Sequence, residues 1–156
     1  MATPIEITDF RPEHGPAFKD LNLTWISSAH KIEDDDIRIL SEPQKYLIDP
    51  GGAVLVALDG DKVVGTCALR KVTDGIFEMT KMTVDASMRG RSIGRMLGDA
   101  IVRKAAELGA HTLDLYSNRK VCAVAINMYH TMGFDEVELN PGVYERADIK
   151  MRKLLK

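Results

Sequence analysis

The sequence has only two cysteines among its 156 residues, Cys67 and Cys122, one in a strand-like and one in a helix-like segment. That placement supports neither a disulfide framework nor a thiolate metal site, and both read as small core or pocket residues. The four histidines, at 14, 30, 111 and 130, share no ligand spacing, so no metal is expected. Charge of one sign is not in excess: the formal net charge is −2 and the pI is near 6.1, which argues against a surface built for nucleic acid. No apolar run is long enough to span a bilayer, and the opening MATPIEITDF has no basic segment leading into an apolar core. A cytoplasmic protein without a membrane partner is the expectation. Repeats and low-complexity tracts are also missing.

What is present suits a single domain over residues 1–156, since 45% apolar and 28% charged residues can build one buried core under a charged surface. Ile5 and Ile7 alternate with polar residues in a first strand from Pro4 to Phe10. Arg11-Pro12 then opens a helix carrying Phe18, Leu21, Trp25 and Ile26 at core spacing. The acidic run Glu33-Asp34-Asp35-Asp36 precedes Ile37 and Leu40 and reads as helix capping, or as a patch that attracts a cationic amine. Ala53 to Leu58 and Lys62 to Lys71 form a hairpin through Asp59-Gly60-Asp61, and a second hairpin passes through Thr73-Asp74-Gly75 into the strand that begins near Glu78.

From Phe77 to Ala105 the chain passes from a strand through a basic, glycine-bearing turn into an amphipathic helix. The helix shows its apolar face as Ile93, Met96, Leu97, Ala100, Ile101, Ala105 and Leu108. Between them lies Arg89-Gly90-Arg91-Ser92-Ile93-Gly94. A helix start offers N–H groups without intrahelical acceptors and the positive end of the macrodipole, so small residues and arginines there suit a phosphate ester. The turn is not a Walker loop, because no Gly-Lys-Ser/Thr follows, and Gly90 and Gly94 are too far apart for GxGxxG. His111 to Tyr116 gives a further strand, parallel to the Glu78 strand by a right-handed crossover. Val121 to Met132 reads as a helix stopped at Gly133, and Phe134 to Leu139 and Ala147 to Leu154 finish as strands around Asn140-Pro141-Gly142.

The run from Glu78 to Gly94, together with Ala125-Ile126-Asn127-Met128-Tyr129 and Gly133-Phe134, resembles the GNAT superfamily of acyl-CoA-dependent N-acyltransferases. Members bind the CoA pyrophosphate at Arg/Gln-x-x-Gly-x-Gly/Ala; Arg89 and Gly94 match that spacing, and Ser92 stands at the middle glycine. The resemblance implies an α/β fold: a mixed, mostly antiparallel sheet with a splayed central parallel strand pair and about four helices. It implies acetyl-CoA as acyl donor, with the pantetheine arm in the splay.

By the same resemblance, Met82, Val84, Gly90, Arg91, Ser92, Ile93, Gly94 and Arg95 would hold the pantetheine and pyrophosphate through backbone amides, with Arg89 and Arg91 supplying charge. Tyr129 occupies the place of a tyrosine that meets the CoA sulfur, where a phenol can hand a proton to a thiolate. Glu78 stands where some members carry a base; it sits about 20 Å back along the strand from Val84 at ~3.3 Å per residue, the scale of an extended pantetheine arm. The other reading of Glu78 is a structural carboxylate paired with Lys81, Lys62 or Arg70. Asn118 is a further site candidate, or a residue that hydrogen-bonds within its own turn. The CoA-binding asparagine that many members carry seven residues before the tyrosine is Cys122 here. Arg146 either faces a carboxylate of the acceptor or pairs with Asp148 or Glu145.

The expected activity is transfer of an acetyl group to a primary amine of a small molecule or peptide, by direct attack in a ternary complex. Alternatives are a non-catalytic CoA-sensing module and an acetyltransferase acting on protein lysines or charged tRNA. An edge strand near the C-terminus makes a homodimer possible.

Overall fold

The computed structural model describes residues 4–140, 144 and 146–155. The alternating first segment forms β1 (Ile5–Asp9), followed after a tight turn at Pro12–His14 by α1 (Gly15–Ala29) and α2 (Asp34–Ser41). Both sequence-predicted hairpins form, giving β2 (Ala53–Asp59), β3 (Lys62–Thr73) and β4 (Ile76–Val84). The remainder is α3 (Ile93–Glu107), β5 (Thr112–Ser117), α4 (Ala123–Thr131), β6 (Asp135–Val137) and β7 (Ile149–Leu154). The sheet runs β1-β2-β3-β4-β5-β7-β6, with β4 and β5 parallel and the other pairs antiparallel. This is the mixed, mostly antiparallel arrangement expected from the sequence. Among the described residues no helix is long and apolar enough to cross a membrane.

Two cores cover the two faces of the sheet. On one, Ile93, Leu97, Ile101 and Ala105 of α3 and Ile126 and Tyr129 of α4 pack on Leu55, Cys67, Leu69, Phe77, Met79, Leu113 and Leu115. Each fully buried Leu or Ile there contributes about 1.5–3 kcal/mol relative to exposure. On the other, Phe18 and Ile26 of α1 and Leu40 of α2 pack with Leu47 on Val54 and Ala68. Phe77 and Met79 belong to the first core, so Glu78 between them faces the α1/α2 side.

The β4–β5 ladder is short. Pairing runs from Ile76↔Thr112 to Met79↔Leu115 and stops, after which β4 follows β3 and β5 follows β7. The strands part where β4 carries a bulge: Lys81 adopts a left-handed conformation, φ +56°, and the β3 register shifts between Thr66 and Ala68. An extra residue in one strand sharpens its twist, and here it turns β4 away from its parallel neighbour. The bulge is braced from α1. Buried Asn22 donates to Phe18 O (2.9 Å) and to Thr66 Oγ1 (3.1 Å), and that hydroxyl donates to Lys81 O at 2.7 Å.

Two details differ from the sequence reading. Leu21 and Trp25 are half-buried, because α1 turns Asn22 rather than Trp25 to the sheet. The strand expected from Phe134 to Leu139 is confined to Asp135–Val137, since Phe134 is drawn wholly into the core and only β7 offers a pairing edge. The sheet edge near the C-terminus is therefore this short β6. Pro141 and Gly142 of the predicted turn lie outside the described residues.

Candidate active site

The turn between β4 and α3 is shaped by backbone. Asp85 accepts from the N–H and hydroxyl of Ser87 (2.9 and 2.7 Å) and so ends the strand. Gly90 takes φ +83° and a Cβ there would meet nothing within 4 Å, which leaves open space over the main chain. Ser92 follows at φ +61°, a left-handed position that favours glycine, and its side chain makes no cap bond. The first helical bond runs from Met96 N to Ser92 O at 3.0 Å, so the N–H groups of Ile93, Gly94 and Arg95 have no acceptor in the helix. Arg89, Gly90, Arg91 and Ser92 are exposed, whereas the Ile93 side chain is buried in the core. Arg95 spans from Asp99 to Thr131 Oγ1, 3.0 Å each, and so ties α3 to α4.

Met82 and Val84 lie on the stretch of β4 that has left β5, and both pack against the α3/α4 core. Their backbone has no ladder partner on the β5 side. A pantetheine amide needs such free N–H and C=O groups, so these residues and the bare start of α3 fit coenzyme A as a donor set. Tyr129 stands on the same face, 6% exposed and edge-on to Phe134 with ring centroids 5.9 Å apart. Its hydroxyl makes no hydrogen bond among the described residues, yet it is not a sealed atom: among these residues only Arg70 Nε is both fully enclosed and unpartnered. Burial pushes the phenol pKa up, so the group stays protonated.

Glu78, 3% exposed, occupies the other face. It accepts from Arg70 Nη2 at 2.8 Å and from the Tyr144 hydroxyl at 2.9 and 3.1 Å. Arg70 is thus the partner, of the three cations considered from the sequence. Burial and the Glu78 charge push the Tyr144 phenol up to about 12. Tyr144 also packs edge-on against Tyr116 at 5.0 Å. It escaped the sequence reading because it lies 66 residues from Glu78 in a connection without periodicity.

Beside this pair stand Asp36, Arg146 and Lys81. Asp36 accepts the Glu33 N–H at 2.8 Å, the capping role expected of the acidic run, and also the Arg146 guanidinium. Burial raises its pKa, but the Arg146 and Glu33 hydrogen bonds outweigh this and hold the carboxyl below its ordinary range. Arg146 therefore pairs with α2 across the fold rather than with Asp148, which instead accepts from Arg119 N at 2.8 Å; Glu145 lies outside the described residues. Asn118 is fully engaged: its amide donates to Arg146 O (3.0 Å) and its oxygen accepts from Lys120 N (3.0 Å) and Val121 N (3.2 Å). It closes its own turn and fixes Arg146 against the end of β5.

Lys81, weighed from the sequence only as an ion-pair partner of Glu78, forms no such pair among the described residues yet faces the same side. Strict alternation from Phe77 and Met79 would send it into the α3 core, and the bulge turns it toward Asp36 and Glu78 instead. Burial lowers its pKa, Asp36 and Glu78 pull it back up, and Arg146 pushes it down again. A separate open cavity of about 900 Å³ runs along α1 past Leu21 and Trp25 to Val84 and Arg89; it contains neither Glu78 nor Tyr129.

The geometry thus places Tyr129 and the free helix start on one face, Glu78 and its neighbours on the other, and the parted strands between. Comparison with known proteins agrees with this architecture. N-acetylaspartate synthetase of Xenopus tropicalis is 32% identical over 116 residues, 74% of this chain, which spans 41% of that protein's length. A GNAT-family acetyltransferase from Staphylococcus aureus Mu50 superposes with a TM-score of 0.88 at 21% identity, covering 98% of this chain and 100% of that one. The PaiA N-acetyltransferase of Thermoplasma acidophilum, solved in complex with coenzyme A, gives a TM-score of 0.75 at 16% identity over 98% of this chain and 100% of that one. The family model described as acetyltransferase (GNAT) family matches residues 16–134, and the chain belongs to that family.

Proposed function

We propose that the chain transfers an acetyl group from acetyl-CoA to a primary amine of a small molecule or peptide, by direct attack in a ternary complex. The observation that carries this is the aperture beyond Met79 and Leu115. It joins a face with a free helix start and a protonated Tyr129 to a face with buried Glu78 and Asp36 and half-buried Lys81. Bound acetyl-CoA supplies the reactive thioester.

The residues divide the remaining work. Arg89, Arg91 and the first N–H groups of α3 bind the pyrophosphate, and the unpaired edge of β4 at Met82 and Val84 orients the pantetheine. Tyr129 holds the proton that the departing sulfur takes, a transfer worth typically 10²–10⁴-fold. Glu78, an anion kept in place by Arg70 and Tyr144, draws the proton from the incoming ammonium directly or through water. Holding both reactants at the aperture lowers the barrier by proximity alone.

A thiol-release assay with acetyl-CoA against pooled amines and peptides tests the reading, with thermal stabilisation by coenzyme A as the binding measurement. Acceptor-dependent thiol release supports it. Binding of coenzyme A with no release for any amine favours a CoA-sensing module instead.

A further inference from the structure

On the α1/α2 side of the aperture, cations outnumber the carboxylates able to meet them. Glu78 is claimed by Arg70 at 2.8 Å and by the Tyr144 hydroxyl. Asp36 is claimed by Arg146 and by the N–H of Glu33. The Glu33 carboxylate, 3.9 Å from Arg146, is half in solvent and screened. Asp114, on the neighbouring strand, already holds Arg152 and Lys150. Lys81 remains, half-buried, with neither an ion pair nor a hydrogen bond to its ammonium among the described residues. Its nearest opposite charges, Asp36 and Glu78, act on it only at a distance, and Arg146 repels it.

A half-buried ammonium with no protein partner among the described residues is open to an anionic ligand, and the fold goes out of its way to place it there. Among the described residues Lys81 adopts the one left-handed non-glycine position within a strand, and the Asn22–Thr66 bracket locks it. Strain held in place by a dedicated network marks a functional position. Among the described residues the missing element is an anion, since none of their carboxylates at the site is left unclaimed for a second cation.

We infer that the acceptor amine carries a carboxylate, received by Lys81 with Arg146 behind it, so that the substrate class is an amino acid rather than a polyamine. This rests on the acetyl-transfer reading above. The carboxylate completes the charge balance of the pocket and turns the attached amine toward the aperture.

Calorimetry on the coenzyme A-saturated protein tests it, using the common L-amino acids, their α-carboxamides, and spermidine as probes. For the best-bound side chain the carboxylate form binds about tenfold or more tightly than its carboxamide, the scale of one charged hydrogen bond. Lys81→Met brings that ratio close to one, and Lys81→Arg retains it. Arg146→Gln lowers the ratio too, because it frees Asp36 to claim Lys81; this second variant serves if Lys81→Met does not fold. Equal binding of carboxylate and carboxamide, tighter binding of spermidine, or a ratio that survives Lys81→Met overturns the inference and leaves acetyl transfer standing. Absence of heat from coenzyme A itself overturns the acetyl-transfer reading, and this inference with it.

Discussion

The hydroxyl of Thr66 donates to the carbonyl of Lys81 at 2.7 Å while accepting from Asn22 at 3.1 Å, so one buried side chain connects α1 to the bulge that parts the central strands. Thr66→Val keeps the shape and removes both bonds, leaving buried polar groups unpaired. Urea denaturation is expected to show a loss of about 1–3 kcal/mol. Acetyl transfer should fall further than coenzyme A affinity, because the bulge aims the reacting end of the cleft and not the pyrophosphate turn.

Arg89 is exposed and has no hydrogen bond or ion pair among the described residues. Arg89→Ala should therefore leave the unfolding midpoint of the free protein unchanged. It should weaken coenzyme A binding by roughly 10- to 100-fold, the scale of one lost charge-assisted hydrogen bond. Calorimetry at low and high salt checks this, and the difference between variant and parent should shrink as salt rises.

Tyr129→Phe retains the edge-on packing with Phe134 and removes only the hydroxyl proposed as proton donor. The turnover number should drop by about 10²-fold with coenzyme A affinity held. Because the phenol pKa is raised, no alkaline fall in the parent's rate below about pH 10 is assigned to this group.

Arg70 and Glu78 are paired unequally: the carboxylate side chain is 4% exposed and the arginine 42%. Arg70→Met strands a buried anion, while Glu78→Gln leaves a cation that can turn to water. Arg70→Met should therefore be the more destabilising of the two, by about 1–3 kcal/mol, in urea titrations.

Asp36 predicts a pH effect. Its folded pKa lies below the ordinary 3.8, so the unfolded chain binds more protons in that region. The contribution to stability is full above 3.8 and is lost as pH falls through the lowered value. Asp36→Asn should be less stable than the parent at neutral pH, and the gap should close on acidification. Thermal melts at neutral pH and at about pH 3 measure it.

The architecture was legible because its signals are local. Asp-Gly turns set the two hairpins, the three-and-four spacing set α3, and the strand, basic turn and helix in succession set the family resemblance. Main-chain chemistry at the Gly90 to Arg95 turn follows from sequence alone, since a helix start needs no distant partner to leave its N–H groups free.

What only the tertiary structure decided lies on the other face of the sheet. The pairing of Glu78 with Tyr144, of Asp36 with Arg146, and the exposure of Lys81 to both carboxylates join residues far apart along the chain. Lys81 is the sharpest instance. Strand periodicity assigns it to the apolar core, and a single left-handed residue reverses the assignment. That conformation is held by Asn22 and Thr66, which only the packing of α1 on β3 brings together. Local sequence thus set the turn of uncapped N–H groups at the start of α3, whereas long-range contacts set which charges line the α1/α2 side of the parted strands.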